Sequence, residues 1–132
     1  MPDTHTGKEV ENFIEQKLEA NGYNIATQVQ SAGINSDWSK IDIVLCSYDG
    51  EHQKALSIKY QGVPGSVEEK LPYEANSLSL MCIAHGYPKG IIVLCGDGWS
   101  PAKYHWFLNI YEPPERVSII SYDEFIRDYI GE

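Results

Sequence analysis

The sequence has few cysteines and no long apolar segment. Its three cysteines, Cys46, Cys82 and Cys95, lie far apart and form no C-x-x-C pair, which excludes a disulfide scaffold and a cysteine-rich zinc site. We expect buried free thiols instead. The longest apolar runs, such as residues 90–95, are far shorter than the roughly 18 residues of a membrane helix, and the polar N-terminus does not resemble a signal peptide. These absences predict a cytoplasmic protein with no membrane partner.

Positive charge is also scarce. Ten lysines and arginines stand against 19 acidic residues, which gives a net charge of −9 and an isoelectric point near 4.8. Binding of nucleic acid through bulk electrostatics normally needs a basic surface, so the composition argues against it. The 132 residues, 42% of them hydrophobic, are enough for one globular domain with a core. Because no repeat or linker divides the chain, we expect a single domain over residues 1–132.

Local patterns predict alternating strands and helices. Apolar residues recur at helical spacing in some segments, while alternation or continuous apolar runs indicate strands in others. The predicted order is helix 6–21, strand 23–30, loop 31–39, strands 40–48 and 51–60, helix 66–85, strand 90–95, helix 101–110, strand 117–121 and helix 122–130. This order predicts an α/β fold with a mixed central β-sheet, which contains a β-hairpin and is flanked by helices.

The helix predicted over residues 66–85 begins with a polar segment. Ser66 and Glu69 match a capping box, and Pro72 predicts a kink or a restart of the helix. We expect Glu68, Glu69 and Lys70 to be solvated charges of the first turn, since acidic residues are favourable near a helix N-terminus.

Asp49-Gly50 predicts the turn of an antiparallel hairpin, because a type I′ turn needs positive φ at both central residues. Counting away from this turn places Asp42 opposite Ser57, with Lys59 diagonal to Asp42 on the same face. Asp42 and Lys59 are therefore expected to be neighbours. The alternative to a functional pair is an exposed cross-strand ion pair, worth about 0.2–1 kcal/mol.

Glu11 is a second acid that the pattern directs toward the core. It lies three residues before Ile14 and seven before Leu18, so it borders the apolar stripe of the first helix. The alternative is an edge residue whose carboxylate reaches water.

Three short motifs follow one another along the chain, and we quote them in order: Gly7-x-x-x-Glu11 with a following Gly22-Tyr23, Lys40-Ile-Asp42 on a strand, and Ser57-Ile-Lys59-Tyr-Gln61 at the end of the next strand. With the strands and helices that follow, they resemble the PD-(D/E)XK nuclease superfamily, which has the restriction-endonuclease-like fold. The resemblance spans residues 6 to about 121. Residues 61–70 are also similar to the segment after the catalytic lysine in some restriction and homing enzymes.

The resemblance implies metal-dependent hydrolysis of phosphodiester bonds. Asp42 and the carbonyl of Ile58 would hold Mg²⁺ or Mn²⁺, which prefer oxygen ligands. Lys59 would orient the attacking water and offset charge developing on phosphorus. Glu11 corresponds to the helix acid with which some members hold a metal-bound water.

One position departs from the family pattern. The acid that the superfamily places two residues before the lysine is Ser57 here, and a hydroxyl is not an anionic ligand. Gln61, two residues beyond Lys59, is the candidate for a neutral oxygen ligand. The predicted site is therefore Glu11, Asp42, Lys59 and Gln61, with Asp42 and Ile58 as metal ligands.

Three functions compete on these grounds. The first is an endonuclease that cleaves double-stranded DNA, of restriction or homing type, acting as a homodimer or homotetramer because each chain carries one site. Such an enzyme would gather its few basic residues in a cleft beside Asp42. The second, favoured by Ser57 and the acidic charge, is an inactive nuclease-fold module that serves as a nucleic-acid-binding or assembly subunit. The third is an unrelated protein-interaction domain.

Overall fold

The computed structural model describes residues 7–30, 40–46 and 54–130, with the side chains of residues 9–25 and 54–130. Three strands follow the first helix, after which helices and strands alternate, and a π-helical turn at Ile126–Ile130 extends the last helix. The elements are α1 (Gly7–Ala20), β1 (Asn24–Gln30), β2 (Lys40–Cys46), β3 (Lys54–Tyr60), α2 (Val67–His85), β4 (Lys89–Cys95), α3 (Pro101–Asn109), β5 (Val117–Ser121) and α4 (Tyr122–Phe125). This order confirms the prediction. The predicted loop 31–39 and the turn at Asp49-Gly50 lie outside the described residues.

The strands form one five-stranded sheet in the order β1-β2-β3-β4-β5. β1, β2 and β3 pair in antiparallel fashion, whereas β3, β4 and β5 are parallel. Parallel neighbours need a crossover connection, usually a helix, and α2 and α3 supply these connections. The mixed sheet with its flanking helices confirms the predicted fold class.

The pairing of β2 with β3 has the register that the hairpin predicted. Leu45 lies opposite Lys54, and Ile43 lies opposite Leu56. Continued by one residue, this register brings Asp42 level with Ser57. The last paired residues of β2 and β3 within the described strands are Ile43 and Leu56. Asp42 and Ser57 therefore come directly after this last pair.

Helices cover both faces of the sheet. Alternate side chains of a strand point to opposite faces, so Leu56 and Ile58 pack with α1 and α4, while Ala55 packs with α2 and α3. The core residues of α1 are Val10, Ile14 and Leu18, and those of α2 include Leu71, Ala75, Leu78 and Cys82. β4 is buried on both faces from Gly90 onward, as its continuous apolar run predicted.

Details of α2 differ from the prediction. Pro72 lies inside the helix, which runs from Val67 to His85 without a restart, because packing of its apolar stripe on the sheet outweighs the one lost backbone hydrogen bond. The side chain of Ser66 makes no capping hydrogen bond, so the predicted capping box is absent.

Cys82 and Cys95 are buried free thiols, as predicted, while the side chain of Cys46 lies outside the described part. Burial raises the pKa of Cys82 to about 11 and that of Cys95 to about 12. Both thiols therefore stay protonated at neutral pH. None of the helices in the described ranges is long and apolar enough to cross a membrane.

Gly96 allows the loops after β3 and β4 to meet. Gln61 donates its backbone N–H to the Cys95 carbonyl at 3.0 Å, and Gly98 donates its own to the Gln61 carbonyl at 2.8 Å. Gly96 has a φ of 95°, and a Cβ there would collide with the carbonyl oxygen of Gln61. Only glycine satisfies both constraints.

We predict that Gly96→Ala destabilises the protein by about 2–4 kcal/mol, the sum of left-handed strain and steric overlap. Gly86→Ala is the matched control, because Gly86 also has positive φ (75°) but an added Cβ there meets no atom within 4 Å. The control should lose about 1 kcal/mol. Urea unfolding measures both variants, and equal losses would contradict the assigned role of the close approach.

Candidate active site

A cavity opens at the carboxyl end of β3, on the face that α2 covers. Its volume is about 310 Å³, and it is lined by Ile58, Lys59, Tyr60, Val67, Lys70 and Glu74. Ligands of α/β sheets bind outside the carboxyl ends of the strands. Of the residues that the sequence singled out, Lys59 and Ile58 lie in this cavity, which is therefore the candidate active site.

Lys59 forms an ion pair with Glu74 across the cavity. The Lys59 Nζ lies 3.0 Å from each carboxylate oxygen of Glu74. The two side chains are 23% and 30% exposed, so the pair is half-buried yet open to the cavity. This contact joins the end of β3 to the second turn of α2. It therefore holds an amine and a carboxylate side by side in the cavity.

Glu74 is a candidate that the sequence analysis missed. It stands three residues after Leu71 and four before Leu78, so it borders the apolar stripe of α2 as Glu11 borders that of α1. The same criterion, applied to the second helix, would have found it. Glu74 supplies a carboxylate beside Lys59 in a chain where Ser57 occupies the usual position of the acid.

Asp42 lies on β2, next to the strand that carries Lys59. The continued register brings it level with Ser57, which is two residues before Lys59 on β3. The side chain of Asp42 is outside the described residues. Its place on the sheet agrees with the predicted neighbourhood, and its contact with Lys59 stays a prediction.

Glu11 lies on the other side of the sheet. It is half-buried on α1 beside Val10, and α1 packs on the face that carries Ile58 rather than Lys59. Glu11 is not among the residues that line the cavity. Its role as an acid of the site stays a prediction.

Gln61 holds two loops together instead of lining the cavity. Its side chain is buried, with 4% exposed. The Nε2 group donates to the Gly98 carbonyl at 2.9 Å, and Oε1 accepts the backbone N–H of Val67 at 3.1 Å. Gln61 thus caps the first turn of α2, the function expected of Ser66. Its role as a ligand stays a prediction, and the oxygen proposed for that role already accepts this hydrogen bond.

Glu68 is buried, so the expectation that it is a solvated charge was wrong. Its carboxylate accepts the backbone N–H of Ser100 at the start of α3. A buried carboxylate needs such a donor. Glu69 and Lys70 are exposed, as expected, and Lys70 lines the cavity. Lys59 and Lys70 are thus two basic residues at this cavity, and the basic cleft beside Asp42 stays a prediction.

The cavity presents part of an oxygen donor set for a hard divalent cation. Glu74 offers carboxylate oxygens, and Ile58, another lining residue, offers a backbone carbonyl; such oxygens are the ligands that Mg²⁺ prefers. Among the described residues, no group of three or more His, Cys, Asp or Glu residues is placed to hold a metal ion. A further carboxylate would come from Asp42 on the neighbouring strand.

Comparison with known proteins defines the class. The model of the PD-(D/E)XK nuclease superfamily domain matches residues 3–127. The chain belongs to this superfamily, as its motifs suggested. Its members typically use divalent metals. No curated protein sequence matches the chain.

Two solved structures are similar to this chain. The crystal structure of a protein of unknown function, AF1548, has 17% sequence identity and a TM-score of 0.53, with 89% of this chain and 59% of that chain covered. A repair endonuclease from Pyrococcus abyssi has 15% identity and a TM-score of 0.44, with 86% and 50% covered. The chain thus spans between half and three fifths of the length of these proteins. The first of these likenesses supports the fold alone.

We predict that Gln61→Glu destabilises the protein by about 1–3 kcal/mol at neutral pH, because a buried carboxylate cannot donate to the Gly98 carbonyl. Glu69→Gln, a charge change at an exposed position of the same helix start, is the control and should change stability by less than about 0.5 kcal/mol. Thermal and urea unfolding measure both. If Gln61→Glu matches the control, Gln61 does not hold the two loops.

Proposed function

We propose that this protein is an endonuclease, dependent on Mg²⁺ or Mn²⁺, that hydrolyses phosphodiester bonds of double-stranded DNA. We further propose that it is of restriction or homing type and acts in the cytoplasm as a single domain. The observation that carries the proposal is the Lys59–Glu74 ion pair in the cavity at the end of β3. It brings together a cation and the carboxylate that Ser57 does not provide.

The proposed metal ligands are Glu74, Asp42 and the carbonyl of Ile58. A bound divalent cation would supply Lewis-acid polarisation of the scissile phosphate and a water of lowered pKa. Lys59 is proposed to orient the attacking water and to stabilise negative charge on the phosphate in the transition state. The half-burial of Lys59 supports this role, since partial exclusion of water strengthens electrostatic stabilisation.

Three further residues complete the proposed site. Glu11 is retained as the helix acid that the superfamily resemblance implies, and Gln61 as a neutral oxygen, although its contacts support a positioning role through the start of α2. Lys70, exposed one helical turn before Glu74, is suited to contact a DNA phosphate, since such contacts come mainly from Lys and Arg.

The acidic composition limits how the protein can approach DNA. With ten basic residues per chain, affinity must come from a local cleft. Lys59 and Lys70 are basic groups already gathered at the cavity. A homodimer or homotetramer would align two such clefts with the two strands of the duplex, which we propose as the active assembly.

The competing function is an inactive nuclease-fold module that binds nucleic acid or assists assembly. Ser57 favours it, because the acid of the family motif is missing from its usual place. Glu74 weighs against it, since the ion pair with Lys59 restores a carboxylate to the same cavity. This module would bind duplex DNA without cutting it and would give no heat of Mg²⁺ or Mn²⁺ binding in calorimetry.

We predict that the protein cleaves plasmid and synthetic duplex DNA with Mg²⁺ or Mn²⁺, and that EDTA abolishes cleavage. Lys59→Ala and Glu74→Gln should each lower the cleavage rate by at least about 100-fold, the typical effect of removing a group that stabilises transition-state charge. Gel-based single-turnover cleavage measures the rates.

Glu69→Gln is the matched control, because it removes an acid from the same helix outside the cavity and should keep a rate near that of the wild type. Cleavage by Lys59→Ala at the rate of the control would refute the proposed site. Duplex binding without cleavage by the wild-type protein would favour the inactive module.

A further inference from the structure

A second cavity lies beyond the carboxyl end of β4, outside the proposed catalytic residues. Its volume is about 360 Å³, and it is lined by Gly96, Asp97, Trp99, Pro101 and Tyr104. This volume falls in the range of small-molecule sites. The walls combine two aromatic rings, a proline ring and one carboxylate, a composition suited to a flat, partly polar ligand.

One ring of this cavity is fixed by a hydrogen bond and by burial, and the other packs beside it. The indole Nε1–H of Trp99 donates to the Cys95 carbonyl at 2.7 Å, and Trp99 is only 8% exposed. Tyr104 is half-buried and presents the more accessible ring. The ring centroids lie 6.3 Å apart, at an interplanar angle of 48°. A ligand ring that stacks here therefore meets a surface that needs little ordering on binding.

Asp97 is the polar group of this cavity. It is exposed, and nothing in the described part of the chain donates a hydrogen bond to its carboxylate or pairs with it. An ionised carboxylate only accepts hydrogen bonds. A ligand that contacts Asp97 therefore does so through hydrogen-bond donors, and an anionic group such as a phosphate would be repelled.

The second cavity is joined to the candidate active site. Gly98, between Asp97 and Trp99, exchanges two hydrogen bonds with Gln61, at 2.8 and 2.9 Å. Gln61 stands two residues after Lys59, and β3 and β4 are adjacent strands. Both cavities thus open at the same edge of the sheet, at the ends of neighbouring strands, so one bound polynucleotide can reach both.

We infer that this second cavity binds an unpaired nucleobase with an exocyclic amino group, in the nucleotide next to the scissile phosphate. Stacking on aromatic rings requires a base that has left its own stack. The carboxylate favours cytosine, guanine and adenine, which offer an exocyclic amino group, over uracil and thymine, whose one ring N–H lies between two carbonyl oxygens that repel a carboxylate. The inference rests on the proposed function, which makes a nucleic acid the ligand; an organic cation, which also suits aromatic rings beside a carboxylate, is the competing occupant.

Nucleosides test the inference without any cleavage step. Guanosine and inosine differ only in the exocyclic amino group, whereas cytidine and uridine differ both in that group and in the protonation of N3. Agmatine serves as the organic cation. Each is titrated into the full chain, and amide chemical shifts are followed by NMR, which detects millimolar binding. We expect shifts confined to residues 96–104, with cytidine and guanosine binding at least about fivefold more tightly than uridine and inosine.

Two variants separate the contributions of the carboxylate and the ring. Asp97→Asn should bring the cytidine-to-uridine ratio close to one, because an amide both donates and accepts, while Tyr104→Ala should weaken all nucleosides. Glu112→Gln, an exposed acid outside the cavity, should leave the ratio unchanged. The spectrum of each variant shows whether it is folded.

The inference is overturned if saturating nucleosides shift no signals in residues 96–104 of the folded protein, if agmatine binds as tightly as cytidine, or if Asp97→Asn keeps the full discrimination. Its outcome is independent of catalysis, since the titrations are repeated in Lys59→Ala. If the protein discriminates between nucleosides but does not cleave DNA, the inference about the second cavity stands and the proposed endonuclease is refuted. If it cleaves DNA but does not discriminate between nucleosides, the endonuclease stands and the inference is refuted.

Discussion

The candidate site depends on one contact, the ion pair between Lys59 on β3 and Glu74 on α2. Both side chains are partly exposed, so the pair contributes little to stability, on the order of 0–1 kcal/mol. Its importance is positional. It holds the amine in the cavity at the end of β3, and it brings a carboxylate from a helix to the strand that lacks one.

The position of Glu74 depends in turn on how α2 begins. Gln61 accepts the N–H of Val67, and Glu68 accepts the N–H of Ser100, so the first turn of α2 is tied to the loops that follow β3 and β4. The side chains of Gln61 and Glu68 are both buried. Burial of a polar side chain costs free energy unless its polar atoms are hydrogen-bonded, and these two bonds satisfy that need. Glu74 is thus held two helical turns from this junction between α2 and the two loops, and the second cavity lies on the other side of the junction.

Much of this arrangement was predictable from local sequence. Asp49-Gly50 predicted the register of β2 and β3, because a two-residue turn leaves one pairing, and the apolar spacing of α1 and α2 predicted their buried faces. Glu74 was missed because the family motif directs attention to the two residues before Lys59, whereas its ion pair joins residues 15 positions apart. The roles of Gln61 and Glu68 were not predictable, since their partners, Gly98 and Ser100, come together only when β3 and β4 align.

The most direct test of the account relocates the carboxylate. Glu74→Gln removes it from α2, and Ser57→Glu returns an acid to the family position on β3, on the same side of the strand as Lys59. Single-turnover cleavage of duplex DNA is measured for both single variants and for the double variant. The account predicts that the double variant Ser57→Glu/Glu74→Gln cleaves at least about tenfold faster than Glu74→Gln alone. This ratio corresponds to about 1.4 kcal/mol. A Glu74→Gln variant that cleaves as fast as the wild type would contradict it.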